Sequence, residues 1–432
     1  MKIGLIGTFD VENFGDCMFP ELYAHLLSRR FNSVEVALFS PTSRAAEILS
    51  YTIVHGLPQY EDRTGLAALD ADVLLLIGGE TIGHGHSSGT FNFRRATLSA
   101  YLRLWLAPIL ATRAADQRPY YFAAQSVGAI KMPKDVSIEV AACLVAADRV
   151  RFRDNFSVEW IRSENIEFEA DVDPMFLIDQ IRSEADWQAH AKACLPDDIE
   201  PGGYIAAQVS LGYGRNDFTA WVSSIAEIAE QENKPVVLVP ICHFMEDTRL
   251  LSKLEPMLKK AGVRVHLVPG LRNVKETAAL VAMAAGYVGS SLHGAVTSVA
   301  FGRPIAVLGH SLDGKHAGTL ASVGVTGCVT TNNHELPTCF RASLARDRDA
   351  DRRVAHSRAQ KSIDALFDAI EQKASEACTE YFETAATSLI ARERKPQIRQ
   401  DIKRVALRMI RKMSLVSFIY YRWRVWKAFR GV

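Results

Sequence analysis

The segment Gly286–Gly309 reads GYVGSSLHGAVTSVAFGRPIAVLG. Tyr287 and Val288 form a short apolar run that stops at Gly289. Two hydroxyls, a leucine, a histidine and a glycine follow. Ala295–Phe301 then carries apolar residues at helical spacing, Gly302 and Arg303 interrupt it, and Pro304–Leu308 is a second apolar run. Strand, polar loop, helix and strand make one βα unit, the building block of a parallel sheet with helices on its faces. Ligands of such sheets bind at the carboxyl ends of the strands. The segment therefore also marks Ser290-Ser291-Leu292-His293-Gly294 as a candidate site.

The alternation extends in both directions. Upstream, Tyr204–Val209, Val236–Pro240 and Val263–Val268 read as strands, with helices over Thr219–Gln231, Asp247–Ala261 and Val274–Ala284. Ile178–Pro201 breaks the pattern. It is charged and ends in Pro196 and Pro201, so it reads as an interdomain connection. Before it stand strands at Lys2–Ile6, Val34–Phe39, Asp72–Ile77, Pro119–Ala124 and Arg149–Phe152. Helices are expected up to Arg30 and over Leu98–Arg113, Ile138–Ala147 and Ser157–Ser163. This predicts an α/β fold of two Rossmann-like domains facing a cleft, over residues 1–190 and 191–345. A helical extension over residues 346–394 and a basic C-terminal helical tail over residues 395–432 complete the chain.

Composition agrees. The chain has 432 residues, 48% hydrophobic and 23% charged, enough for two or three domains with substantial cores. No apolar run approaches the roughly 20 residues of a membrane span. The first apolar run meets Asp10 and Glu12 with no signal-peptide cleavage pattern, and the seven cysteines form no CxxC pair. A reducing, cytoplasmic setting is expected. The net charge of +1 hides a split: residues 391–432 hold 13 Lys/Arg and 2 Asp/Glu, leaving 37 basic against 47 acidic in the rest.

The loops after the strands carry the candidate chemistry. Asn13, Gly15 and Asp16 follow the first strand, where Asp16 can cap a helix and free N–H groups can hold an anion. They equally make a plain tight turn. Gly78 and Gly79 end a buried strand and lead into a loop with His84 and His86. No acidic or cysteine cluster completes a metal site there, so a substrate-facing loop is expected. Ser126 lies in another small-residue turn, Gln125–Gly128. Arg153 ends a strand, where it suits a phosphate or carboxylate, or a buried ion pair with Asp154 or Asp173. His293 stands at a helix N-terminus beside Ser290 and Ser291. There it is either a proton donor among anion-binding groups or a packing residue beside a Ser291 cap. Lys315, after the next strand, adds a cation or is simply solvated.

Taken in order, these segments resemble the polysaccharide pyruvyl transferase family. They are Asn13-x-Gly15-Asp16, Asp72…Gly78-Gly79, Gln125-Ser126-Val127-Gly128, Arg153-Asp154-x-x-Ser157, Asp171-x-Asp173-Pro174, Ser291-Leu292-His293-Gly294, Gly302-x-Pro304 and Lys315, spanning roughly residues 1–330. Where the family has a third glycine after Gly79, this chain has Glu80. The resemblance implies a GT-B-like arrangement with an acceptor-side first domain and a donor-side second domain. It implies transfer of a pyruvyl group from phosphoenolpyruvate to a sugar of a surface-polysaccharide or glycolipid precursor, forming a ketal. His293 matches the family's general acid and Arg153 its anion-holding arginine. Phosphoenolpyruvate is the donor substrate, and no cofactor or metal is required.

In the tail, Ile402, Val405, Met409, Met413 and Val416 share one helical face, with basic residues on the other. Six aromatics, from Phe418 to Phe429, then interleave with Arg422, Arg424, Lys427 and Arg430. That composition suits an anionic membrane surface, which would make the protein peripheral at the inner face of the cytoplasmic membrane, next to a lipid-linked sugar acceptor. A helix packed on the acidic body or on a partner fits the same pattern. Nucleic acid is not expected as a partner. Two other functions stay open on residues alone: a GT-B glycosyltransferase with a nucleotide-sugar donor, and a non-catalytic glycan-binding protein.

Overall fold

The structure, a computed structural model, describes residues 1–48, 54–56, 71–79, 81–82, 121–129, 140–141, 144–145, 147–161, 168–270 and 272–383. The first unit runs β1 (Lys2–Ile6), α1 (Phe14–Arg30), β2 (Glu35–Ser40), β3 (His55–Gly56), β4 (Val73–Ile77), β5 (Tyr121–Val127), β6 (Arg149–Phe152), α2 (Asn155–Ile161) and β7 (Glu169–Ala170). A 3-10 helix (Pro174–Ile181) and α3 (Glu184–Cys194) follow. The second unit runs β8 (Ile205–Gln208), α4 (Phe218–Glu232), β9 (Val236–Leu238), α5 (Asp247–Lys260), β10 (Val265–Leu267), α6 (Val274–Ala282) and β11 (Gly286–Gly289). It closes with α7 (Leu292–Ala300), β12 (Ile305–Leu308), α8 (Lys315–Ala321), β13 (Val329–Thr330) and α9 (Leu336–Leu344), and α10 (Arg348–Glu383) ends the described chain.

Each unit is built on one parallel sheet. The first has strand order β3-β2-β1-β4-β5-β6-β7 and the second β10-β9-β8-β11-β12-β13. The central strand β4 is VLLLI, buried at every residue, as a parallel strand covered on both faces must be. Two Rossmann-like domains therefore face each other across the carboxyl ends of their strands. A single hydrophobic cluster joins them. It takes in Phe19 and Leu22 of α1, Phe176 of the 3-10 helix, Trp187 of α3, Leu280 of α6, Val296 of α7 and Leu366 of α10. Each such large side chain contributes about 1.5–3 kcal/mol by leaving water. The shared core fixes the two sheets relative to each other.

Two segments differ from the sequence reading. The stretch expected to be a plain connection contains α3, and the boundary expected between residues 190 and 191 falls inside it. Strand β5 runs on through Gln125-Ser126-Val127, which had the composition of a turn. Its register shifts between Ala124 and Val127, and Ser126 takes a left-handed φ of 53° at that irregularity. The helical extension crosses back onto the first domain, where Gln125 Nε2 donates to Ser362 Oγ at 2.8 Å and Arg30 pairs with Asp368 at 2.7 Å. The helix expected over Leu98–Arg113, half of the one expected over Ile138–Ala147, and the tail over residues 395–432 lie outside the described residues. No helix among the described residues is long and apolar enough to cross a membrane.

Candidate active site

The cleft between the domains has about 690 Å³ of open space, counting the part continuous with solvent. The turns after β1 and β9 meet at its edge. Phe14 N–H donates to Ile241 O at 3.0 Å, and His243 N–H donates to Glu12 O at 2.8 Å. Asn13 caps α1, accepting from Gly15 N–H at 3.3 Å, and its Nδ2 donates to Asp16 Oδ2 at 2.7 Å. The first turn of α1 is thus held by its own side chains and by the opposite domain.

His293 occupies the first turn of α7. Ser291 is the cap of that helix, its Oγ accepting from Gly294 N–H at 3.2 Å. The His293 side chain is 9% exposed and reaches across the cleft to the first domain. Phe19 meets the ring edge-on at a centroid distance of 5.4 Å. Gly15 lies against the other edge, so close that a Cβ there would stand 1.8 Å from His293 Nδ1. His293 Nε2 faces the fully buried Asp173 at 3.6 Å. Burial alone would raise the Asp173 carboxyl. The His293 ring, the Arg153 guanidinium and the Met175 N–H outweigh burial and hold it below the usual carboxylate range.

Arg153 is buried at the end of β6. Its guanidinium lies against Gly128, where a Cβ would come within 2.6 Å of Nη2. Its Nε is 3.7 Å from Asp154 Oδ2, but no hydrogen bond reaches that nitrogen. Asp154 is occupied with α2, accepting from Ser157 N–H at 2.7 Å. The ion-pair reading with Asp154 therefore holds in part, without using the donors of Arg153 fully, while toward Asp173 the guanidinium acts as one of the charges that hold its carboxyl down. Arg153, Lys315 and the start of α7 bring positive charge to the cleft that His293 lines.

Behind the Ser290-Ser291 turn lies a buried polar network that sequence reasoning missed. Gln208 Oε1 accepts from Ser290 N–H (3.1 Å), Ser291 N–H (3.1 Å) and Ser290 Oγ (3.2 Å). Gln208 Nε2 donates to Ser210 Oγ at 2.7 Å and Asp247 Oδ2 at 2.8 Å. Asp247 also accepts from Cys242 N–H at 2.9 Å. Burial pushes its carboxyl up despite these donors. The network fixes the backbone that starts α7 and hence the place of His293. Its only sequence signal is a glutamine closing the otherwise apolar strand IAAQ.

Of the residues expected at the site, Asn13, Asp16, Gly79, Arg153, Ser290, Ser291, Leu292, His293 and Lys315 line the cleft. Gly15 lies against the Nδ1 edge of the His293 ring, Gly78 sits beside Phe19, and Gly294 is inside α7. The structure does not bring Ser126 to the cleft: it is fully buried in β5, and its hydroxyl donates to Val172 O at 2.8 Å. His84 and His86 lie outside the described residues. Among the described residues no group of three or more His, Cys, Asp or Glu side chains is arranged to hold a metal ion. Gln208 and Tyr213 are additions from the structure, which also sets Asp173, expected from the sequence as a partner for Arg153, against His293.

A sequence model of the family described as polysaccharide pyruvyl transferase matches residues 13–311. No curated protein sequence matches the chain. The fold is similar to that of the UDP-GlcNAc 2-epimerase of Methanocaldococcus jannaschii, at 12% identity and a TM-score of 0.52, over 82% of this chain and 99% of that one. Anabaena HepE in complex with UDP-glucose aligns at 13% identity and a TM-score of 0.49, over 88% and 100% of the two chains. The first likeness shows the GT-B-like arrangement of two Rossmann-like domains.

Proposed function

The chain belongs to the polysaccharide pyruvyl transferase family, and from that premise we propose that it is a phosphoenolpyruvate-dependent pyruvyltransferase. It moves the pyruvyl group onto two hydroxyls of one sugar in a surface-polysaccharide or glycolipid precursor. The observation that carries the reading is that His293, from the second domain, and Arg153, from the first, line one cleft.

In the proposed reaction the imidazolium of His293 protonates the methylene carbon of phosphoenolpyruvate. The C=C electron pair forms the new C–H bond and leaves cationic character at C2. A sugar hydroxyl attacks C2, and its proton returns to His293. The second hydroxyl then displaces the phosphate, whose C–O bond breaks with its electron pair. That hydroxyl's proton leaves with the phosphate. Histidine is the side chain that can both give and regain a proton near neutral pH. Arg153, with Lys315 and the N–H groups at the start of α7, holds the carboxylate and phosphate.

The test is a donor panel. Phosphoenolpyruvate is expected to raise the thermal unfolding midpoint and to convert an acceptor glycan to its pyruvylated mass. Arg153→Lys keeps the charge but loses the planar fork. At about 1.5–3 kcal/mol per charge-assisted hydrogen bond, it should weaken donor affinity by about ten- to a hundredfold. Stabilisation by a nucleotide diphosphate alone would favour a glycosyltransferase. Stabilisation by neither donor would favour a glycan-binding protein.

The basic, aromatic composition of residues 395–432 supports a place at the anionic inner face of the cytoplasmic membrane. Deleting residues 395–432 should move the protein from the membrane pellet to the supernatant without loss of donor binding. An unchanged pellet fraction would refute the membrane assignment.

A further inference from the structure

Gln208 closes β8 with its amide turned into the loop that starts α7. Its oxygen accepts from Ser290 N–H and Ser291 N–H, each at 3.1 Å, from Ser290 Oγ at 3.2 Å and from Tyr287 OH at 3.3 Å. Convergent donors of this kind are what a loop running into a helix N-terminus offers an anion. Here an uncharged oxygen of the chain itself has taken them. The amide is also locked in that sense. Its Nε2 donates to Asp247 Oδ2 at 2.8 Å and to Ser210 Oγ at 2.7 Å, and Ser210 Oγ donates in turn to Asp247 Oδ1 at 2.6 Å. A flipped amide would set its oxygen against the carboxylate and its hydrogens against two N–H groups. Gln208 and Asp247 are fully buried, so water cannot relieve that mismatch.

What remains open at the start of α7 is small. Gly294 N–H is taken by Ser291 Oγ at 3.2 Å. Leu292 N–H and His293 N–H follow the filled pair, and neither is bonded to an acceptor among the described residues. The Arg153 side chain, 2% exposed and with no partner for Nε, lines the same cleft. Two adjacent N–H groups suit one phosphoryl group. A diphosphate needs a longer run of donors, and the next ones along the loop, those of Ser290 and Ser291, are already filled.

We propose that Gln208 is a specificity-determining residue: its amide plugs half of the anion loop and limits the cleft to donors with a single phosphoryl group, against the diphosphate of a nucleotide sugar. It rests on the reading of the cleft as the donor site, and it adds the charge class that the site accepts. Asp247 keeps the plug the right way round.

The test is titration calorimetry of the full chain with inorganic phosphate and with pyrophosphate. The wild type should bind the two within about threefold of each other, since the second phosphoryl group finds no free donors. Gln208→Ala uncovers the Ser290 and Ser291 N–H groups. It should tighten pyrophosphate relative to phosphate by about tenfold or more, the worth of one charge-assisted hydrogen bond. Gln208→Glu keeps the plug, because a carboxyl sharing one proton with Asp247 still presents an oxygen to both N–H groups. Its ratio should stay at the wild-type value. A gain of affinity in the first variant and not in the second is not something a loosened fold produces. Equal ratios in Gln208→Ala and the wild type, or a wild type that prefers pyrophosphate by about tenfold, would overturn the proposal. So would a failure of both anions to bind. If Gln208→Ala does not fold, the wild-type ratio decides. If the ratios are as expected and phosphoenolpyruvate yields no pyruvylated product, the plug stands and the pyruvyltransferase reading falls.

Discussion

His293→Gln is expected to lower turnover by about a thousandfold while donor binding and the unfolding midpoint stay near wild type. General acid catalysis by a placed side chain is worth typically 10²–10⁴ in rate, and glutamine has no proton to give near neutral pH. It is close to histidine in size and keeps polar atoms in the small space between Phe19 and Gly15. Little packing is therefore lost, and the effect should fall on kcat. This separates the proton donor from a mere anion holder. If His293 only bound the donor's negative charge, the variant would raise KM and leave kcat in place. Steady-state kinetics with a fixed acceptor make the distinction, and an unchanged kcat would remove His293 from the chemistry.

The features legible in the sequence are those with a local cause. Central strands such as β4 and β11 announce themselves as short apolar runs closed by glycine. His293 is conspicuous because a histidine sits between two hydroxyls and a glycine where a strand gives way to a helix. Helix α3 hid because only Trp187, Ala191 and Cys194 of its residues are buried. That stripe is too narrow to lift the segment above its charged surroundings. Ser126 misled for the converse reason. Small polar residues read as a turn, but here their hydrogen-bonding groups are satisfied inside the sheet, at an irregularity that sequence does not show. The remaining site residues are legible only in three dimensions. Asp173 gains its role from a histidine far along the chain, and Gln208 from a turn on another strand. The carboxylate's first-order signal, an Asp-Pro pair opening a helix, explains Oδ1 and is silent about Oδ2.

Gly15→Ala should be nearly as damaging to activity as loss of His293 itself, although it touches no substrate atom. Alanine at a helical position ordinarily stabilises by up to about 1 kcal/mol over glycine, so propensity alone argues for a harmless or helpful change. Geometry argues the opposite, because the new Cβ would stand 1.8 Å from His293 Nδ1. Contacts below about 3 Å are not tolerated, so one side must yield. The α1 side is anchored: Asn13 caps the helix, and Phe14 N–H is bound to Ile241 O of the other domain at 3.0 Å. The His293 ring, by contrast, has no hydrogen bond holding Nε2. The ring therefore moves, and a shift near 1 Å in a catalytic group costs about a hundredfold in rate. The expected result is a fall in kcat of at least that size, with the unfolding midpoint within a few degrees of wild type. The decisive comparison is the double variant. If alanine acts through the ring, Gly15→Ala on top of His293→Gln should add little, because the group it displaces is already gone. Independent, multiplying losses would mean that Gly15 serves the site in some other way, through the backbone of α1 and not through His293.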